Sequence, residues 1–220
     1  AGLDLQSPKV KKYIKLMIEK GVSVDPTLAA FDFLKKVDGT VGDPWKDIVD
    51  HLPPDLQRRY HTAELEIPDA ETAKVYAKSY AKMVEFVGMM YKAGIPVVAG
   101  TDELAGFTLQ GELELLVKAG LTPAQALQVA TLNGARFSNA ASHKGQIAVG
   151  MDADILLVDG DPTKDIADIR KLAMVVTQGK AMYPAKIYKA MGIEPFVTEL
   201  PTIQQTPMPA GQAGGSVHRH

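Results

Sequence analysis

The stretch IPVVAGTDELAGF, residues 95–107, decides how the rest of the chain is read. Four apolar residues, two of them adjacent β-branched valines, run into Gly-Thr-Asp, after which the chain turns polar and flexible. A short apolar run bounded by Pro and Gly has the pattern of a fully buried parallel strand. In a barrel or an open α/β sheet, chemistry is placed at the carboxyl ends of such strands. Asp102 stands at that end, expected to open into a concave site. A carboxylate there also caps a turn or a following helix. The residues alone leave both readings open.

Working outward, the flanking segments alternate strand and helix. Upstream, AETAKVYAKSYAKMVEFVGMMYKAG follows Asp69 as N-cap, with Val75, Met83, Val84, Phe86, Val87 and Met90 on its apolar face. The methionines read as core filler. Downstream come a helix in LQGELELLVKAG and another opened by Thr122-Pro123. Near the start, Ser7 as N-cap, Pro8 as first helical residue and Gly21 past the end bracket a helix bearing Val10, Ile14, Met17 and Ile18. GVSVDPT then reads as a short strand stopped by Pro26. Strand and helix in alternation form the βαβ signature of a parallel sheet. Residues 28–68 carry Gly39, Gly42, Pro44, Pro53, Pro54 and Pro68 and are expected to be irregular. A connection that long is functional or mobile.

From about Lys144 the grammar changes. KGQIAVGMDADILLVDGDP and LAMVVTQGKAMYP are short β segments, and Gln178-Gly179 suits a tight hairpin turn. The stretch from Glu194 onward is rich in Pro, Gly, Gln and Thr and has little means to pack. The expected organisation is three parts: residues 1–142, residues 143–184, and a short helix with a Pro/Gly-rich tail over 185–220.

Composition sets outer bounds. The chain has 220 residues, 46% hydrophobic and 23% charged, ordinary values for a globular protein with a substantial core. A net charge of −2 gives no electrostatic reason to expect nucleic acid or an anionic membrane as partner. No apolar run has the length of a membrane span. The absence of cysteine excludes disulfides, thiol nucleophiles and Cys-ligated zinc, and leaves cytoplasm and periplasm equally open. The chain opens on AGLDLQSPKVKKYIK without a Met, as though joined in its middle.

Several stretches together resemble the metal-dependent amidohydrolase superfamily, in its imidazolonepropionase-like and prolidase-like branch. They are GVSVDPTL, AGIPVVAGTD, ELELLVKAGLTPAQALQVATLNGARF and KGQIAVGMDADILLVDGDPTKDIADIRKLAMVVTQGKAMY, and the resemblance covers about residues 8–193. It implies an α/β fold: the C-terminal part of a (β/α)8 barrel, with strands of a small composite β-sandwich. GVSVDPT then resembles the seventh strand and IPVVAGTD the eighth. Asp102 matches the family's last-strand Asp, both metal ligand and proton shuttle. The implied cofactor is a divalent metal, zinc, one or two ions. The implied substrate is a small amide, cyclic amide or dipeptide, cleaved at a C–N bond by a metal-activated water.

Much of the family's site is absent. No His-x-His stands on an N-terminal strand; His218 and His220 belong to the Gly-rich tail. A whole barrel needs about 250 residues, whereas about 140 precede the sandwich-like segment. The expected partner is therefore a missing N-terminal half or an oligomer mate, and the alternative is a non-catalytic barrel-derived binding or assembly module. Tyr60, His61 and Glu103 are candidates to line substrate, Tyr60 and His61 because their loop faces the barrel mouth. His51 and His143 read as surface residues. Glu112 and Glu114 read as a solvated helix face, and Asp152, Asp154, Asp159 and Asp161 as turn residues beside Gly and Pro.

Overall fold

The computed structural model describes residues 1–42, 45–102 and 107–199. Its first elements follow their caps. Helix α1 spans Pro8–Glu19, with the Ser7 hydroxyl accepting from the Val10 N–H and Gly21 at φ +62° just past the end. Val10 and Met17 are buried, but Ile18, expected on the same face, is half exposed. Helix α2 (Pro54–His61) and two 3₁₀ segments, Leu28–Lys35 and Val49–His51, occupy the stretch expected to be irregular. Proline stops long helices there, yet Leu28, Trp45, Ile48 and Leu52 are apolar enough to fold the connection into compact turns on the core.

Helix α3 (Ala70–Lys92) begins where Asp69 accepts the Thr72 N–H at 2.7 Å. It buries Tyr80, Val84, Val87 and Met90 and leaves Val75 exposed. Helix α4 (Phe107–Lys118) buries seven of its twelve residues, Glu112 among them, so it is a core helix rather than an amphipathic one. It lies close to α3 because Gly88 admits the Ala119 carbonyl where a Cβ would stand. Helix α5 (Pro123–Gln128) has a reciprocal capping box between Thr122 and Gln125. A π-turn at Val129–Asn133 and the short α6 (Gly134–Phe137) continue it.

The two expected parallel strands are present as extended segments joined by a single parallel bridge between Val24 and Val97. Val24 N–H donates to the Pro96 carbonyl, and Val98 N–H donates to the Val24 carbonyl, each at 2.9 Å. Asn133, from the π-turn, donates its side-chain N–H to the Val97 carbonyl at 3.0 Å. Ile95, Val97 and Val98 are buried as the apolar run requires.

Strands β1 (Ile155–Val158), β2 (Leu172–Thr177) and β3 (Lys180–Met182) form an antiparallel sheet in that order, with a register shift at Leu157/Val158. The β2–β3 turn is the expected Gln178-Gly179 pair, both at positive φ (50° and 72°), as a type I′ hairpin demands. The short helix α7 (Pro184–Ala190) follows. Arg170, buried in the 3₁₀ segment Ile166–Arg170, pairs with Glu114 and ties this part to α4. Glu114 is thus largely buried rather than solvated.

Candidate active site

Each of the two paired segments ends on a residue in the left-handed region. Thr27 has φ 44° and Asp102 φ 46°. For a β-branched threonine this conformation is a genuine outlier, and such strain persists only where the surroundings impose it. The two residues meet: the Thr27 hydroxyl donates to the Asp102 carboxylate at 3.4 Å, a long hydrogen bond. Asp102 is otherwise exposed.

Asp25 joins them. Its carboxylate accepts the backbone N–H groups of Gly100 and Thr27. It occupies the space that a Cβ on Gly100 would fill, so the glycine of the Gly-Thr-Asp motif is required by its neighbour across the bridge. Partial burial raises the Asp25 carboxyl above the ordinary aspartate value, and the nearby Asp102 charge adds to this. The two N–H groups oppose both.

Behind the cluster lies Glu112, expected on a solvated face and found with no exposure at all. One carboxylate oxygen accepts the Ala29 N–H at 2.7 Å, and the Leu28 N–H also bonds the carboxylate. These are orphan donors of the 3₁₀ segment that Thr27 leads without a side-chain cap of its own. Glu112, 83 residues away, supplies that cap. Its other oxygen is buried, with no hydrogen-bond partner among the described residues. Burial pushes its pKa up to about 7 against the two N–H groups, with the Asp25 charge acting in the same direction.

A cavity of about 310 Å³ opens beside this cluster. Ala29 and Thr108 line it, whereas Asp25, Asp102 and Glu112 do not. Tyr60 is on its wall, packed against Trp45 with ring centroids 5.3 Å apart. His61 is exposed at the end of α2, its ring held by the Gln57 carbonyl at 2.8 Å. Glu103, His218 and His220 lie outside the described residues. His51 stacks on Phe196 at 3.9 Å and is bonded to the Glu194 carbonyl. His143 pairs with Asp152.

The turn carboxylates are engaged locally. Asp152 and Asp154 hold Lys144, Asp154 also accepts from Thr177, and Asp161 holds Thr163 and Lys164. Thr27, Asp25 and Glu112 are site residues given no role from sequence. Asp25 had a visible signal, because GVSVDPT ends on a carboxylate just as AGTD does. For Glu112 the signal was weaker: an acidic residue set among Gly111, Leu113, Leu115 and Leu116 on a helix with no polar side.

As a place for a metal, Asp102 offers the right chemistry: an exposed hard oxygen donor, at a strand end, with only a long hydrogen bond from Thr27 to displace. Among the described residues no group of three or more His, Cys, Asp or Glu comes together around it.

The comparisons with known proteins fit these features. Residues 5–182 match the Amidohydrolase family, and the chain belongs to it. Ochratoxinase of Aspergillus niger is 29% identical over 126 residues, which is 56% of this chain and 25% of that protein. Adenine deaminase of Geobacillus kaustophilus is 40% identical over 75 residues, 34% of this chain and 13% of the deaminase. The matched stretches thus span a quarter or less of these relatives' length. Among solved structures, a Xaa-Pro dipeptidase with methionine bound in its active site superposes with a TM-score of 0.56 at 22% identity. The superposition covers 78% of this chain and 37% of that one, a likeness of fold alone.

Proposed function

We propose that the parent protein is a metal-dependent hydrolase of C–N bonds, acting on small amides, cyclic amides or dipeptides. In this reading residues 1–142 supply the last βα units of a (β/α)8 barrel, with the Val24 and Val97 segments as seventh and eighth strands. Residues 143–184 supply strands of a composite β-sandwich. Residues 185–220 form a short helix and a tail. Family membership supports the reaction class, and the dipeptidase likeness supports the fold. The observation that carries the proposal is the meeting of Asp102 and Thr27, both in strained left-handed backbone, at the ends of two paired parallel segments.

Asp102 would hold the metal, zinc, as one carboxylate ligand of one or two ions, the remaining ligands coming from outside the described residues. Bound there, the metal would supply water of lowered pKa. The chain's own work is to position and move a proton. Asp102 is short and fixed to a strand end, so its carboxylate can accept the water proton and return it to the leaving amine. The Thr27 hydroxyl orients one Asp102 oxygen. Asp25 ties the two strand ends together through the Gly100 and Thr27 N–H groups. Glu112 holds the turn that carries Thr27. Tyr60 lines substrate through the neighbouring cavity.

Replacing Asp102 by Asn in the parent protein keeps the shape and removes the proton acceptor. The expected result is a fall in kcat of roughly 10²–10⁴-fold with an unchanged circular dichroism spectrum. Turnover close to that of the parent would exclude the assignment of Asp102, whereas absence of amide hydrolysis by the parent itself would favour a non-catalytic binding or assembly module.

A further inference from the structure

Resting on that reading, we propose that the cavity beside the strand ends is a specificity pocket for a bulky, uncharged aromatic group on one side of the scissile amide. Its volume, about 310 Å³, is at the lower end of ligand-sized pockets and suits one ring with its linker. Five aromatic residues stand in its walls, Phe33, Trp45, Tyr60, Phe107 and Tyr188, beside aliphatic ones such as Leu52 and Leu56. Two ring pairs are already arranged by mutual packing, Trp45 on Tyr60 at 5.3 Å and Phe107 on Tyr188 at 5.5 Å, both tilted. Rings so fixed lose little freedom when another ring enters.

The charges of the cavity argue for an uncharged guest. Asp32 and Glu64 balance Lys36 and Arg59. Lys36 is buried, its ammonium donates to the Arg59 carbonyl at 3.2 Å, and it lies 6.0 Å from the Tyr60 ring centroid. A ligand carboxylate would have to compete for a cation already engaged.

Reach links the pocket to the carboxylates. Ala29 lines the cavity, and its N–H is held by Glu112. Thr27, two residues earlier, touches Asp102 at 3.4 Å. Two residues of chain span at most about 7 Å. The pocket wall therefore lies within roughly 13 Å of the Asp102 carboxylate, a span that an amide bearing a ring on a short linker can bridge.

The test separates the pocket from the reaction. Benzylacetone mimics such an amide but has no C–N bond to cleave; acetone lacks the ring. Calorimetric titration of the parent protein is expected to give benzylacetone at least about tenfold tighter binding than acetone, the effect of burying one aromatic side chain. Ala30→Phe, which fills the cavity from its wall, should erase that difference, and Tyr60→Ala should reduce it severalfold in a second, cavity-enlarging way. In turnover, kcat/KM for N-acetylphenylalaninamide should exceed that for N-acetylglycinamide by about tenfold or more. Equal binding of the two ketones to the unmodified protein would overturn the proposal, whatever the variants do. Ring-dependent binding without hydrolysis of any amide would retain the pocket and reject the hydrolase reading. Hydrolysis without ring preference would retain the reaction and reject the pocket.

Discussion

The carboxylates at the strand ends and those of the terminal sheet are pulled in opposite directions. Asp25 and Glu112 have raised pKa values, first because burial penalises their charge. Asp152, Asp154, Asp161 and Asp168 have lowered ones, first because His143, Lys144, Thr163 and Lys171 respectively donate hydrogen bonds to them. All are carboxylates, and Asp25, Glu112 and Asp161 alike stand beside Gly or Pro in sequence. Packing separates them. Glu112 is closed in completely, and Asp25, though exposed as a residue, has its carboxylate pressed against Gly100; the second group sits by a sheet whose β1 residues Ile155, Leu156 and Leu157 are themselves exposed. Carboxylates that resist ionisation next to an exposed one are the arrangement expected where protons are moved; carboxylates held by lysines are the arrangement expected of turns.

The largest effect that can break this contrast is at Glu112. Its folded pKa, about 7, is above the unfolded value of 4.5, so the folded state binds more protons between these values. Its contribution to stability is present below the unfolded pKa and is lost as pH rises through the folded one. Glu112→Gln keeps an acceptor for the Ala29 and Leu28 N–H groups without the charge. Relative to the parent, the variant should gain roughly 3 kcal/mol between about pH 4 and about pH 8, read from denaturant unfolding at both ends. An unchanged difference would mean that Glu112 is solvated after all.

A smaller effect is expected at Gly100. Ala at this position meets the Asp25 carboxylate, so Gly100→Ala should cost roughly 1–3 kcal/mol and loosen the link between the strand ends. Combining it with Asp25→Ala should recover part of the loss, because the second change removes the clash. Additive losses in the double variant would refute the contact.

The smallest effect belongs to the terminal sheet. Asp161, exposed and lowered to about 2, contributes stability that is present above the unfolded value of 3.8 and lost as pH falls through the folded one. Asp161→Asn should therefore lower stability by a constant amount through the neutral range and converge on the parent as pH falls through the folded value of about 2. A thermal unfolding transition at pH 7 identical to the parent's in Asp161→Asn would place this carboxylate in the wrong group.

The same contrast explains what could be read from sequence. Caps and turns are local, and they were legible residue by residue: Ser7-Pro8, Asp69, Thr122-Pro123 and Gln178-Gly179 each form the feature that their chemistry specifies. The burial of Val97 and Val98 followed from the apolar run. At the site, Asp102 could be named from its motif because the motif is contiguous. Glu112 could not, because what makes it a buried cap is Ala29, distant in the chain and brought near only by folding. The helical turns within residues 28–68 were hidden for a related reason. Proline and glycine mark where long elements end, but the burial of Leu28 is decided by α3 and α4 packing against its segment, and that of Trp45 and Ile48 by the common core they join.

The central claim, that Asp102 is a metal ligand supported by its strand-end neighbours, is tested most directly by titrating zinc into metal-stripped parent protein and its Asp102→Asn variant. Loss of one carboxylate ligand should weaken zinc binding by about tenfold or more while the unfolding transition of the metal-free protein stays where it was. Equal zinc affinity in the two proteins would contradict the claim, leaving the strained pair of Thr27 and Asp102 as a structural join between two strands.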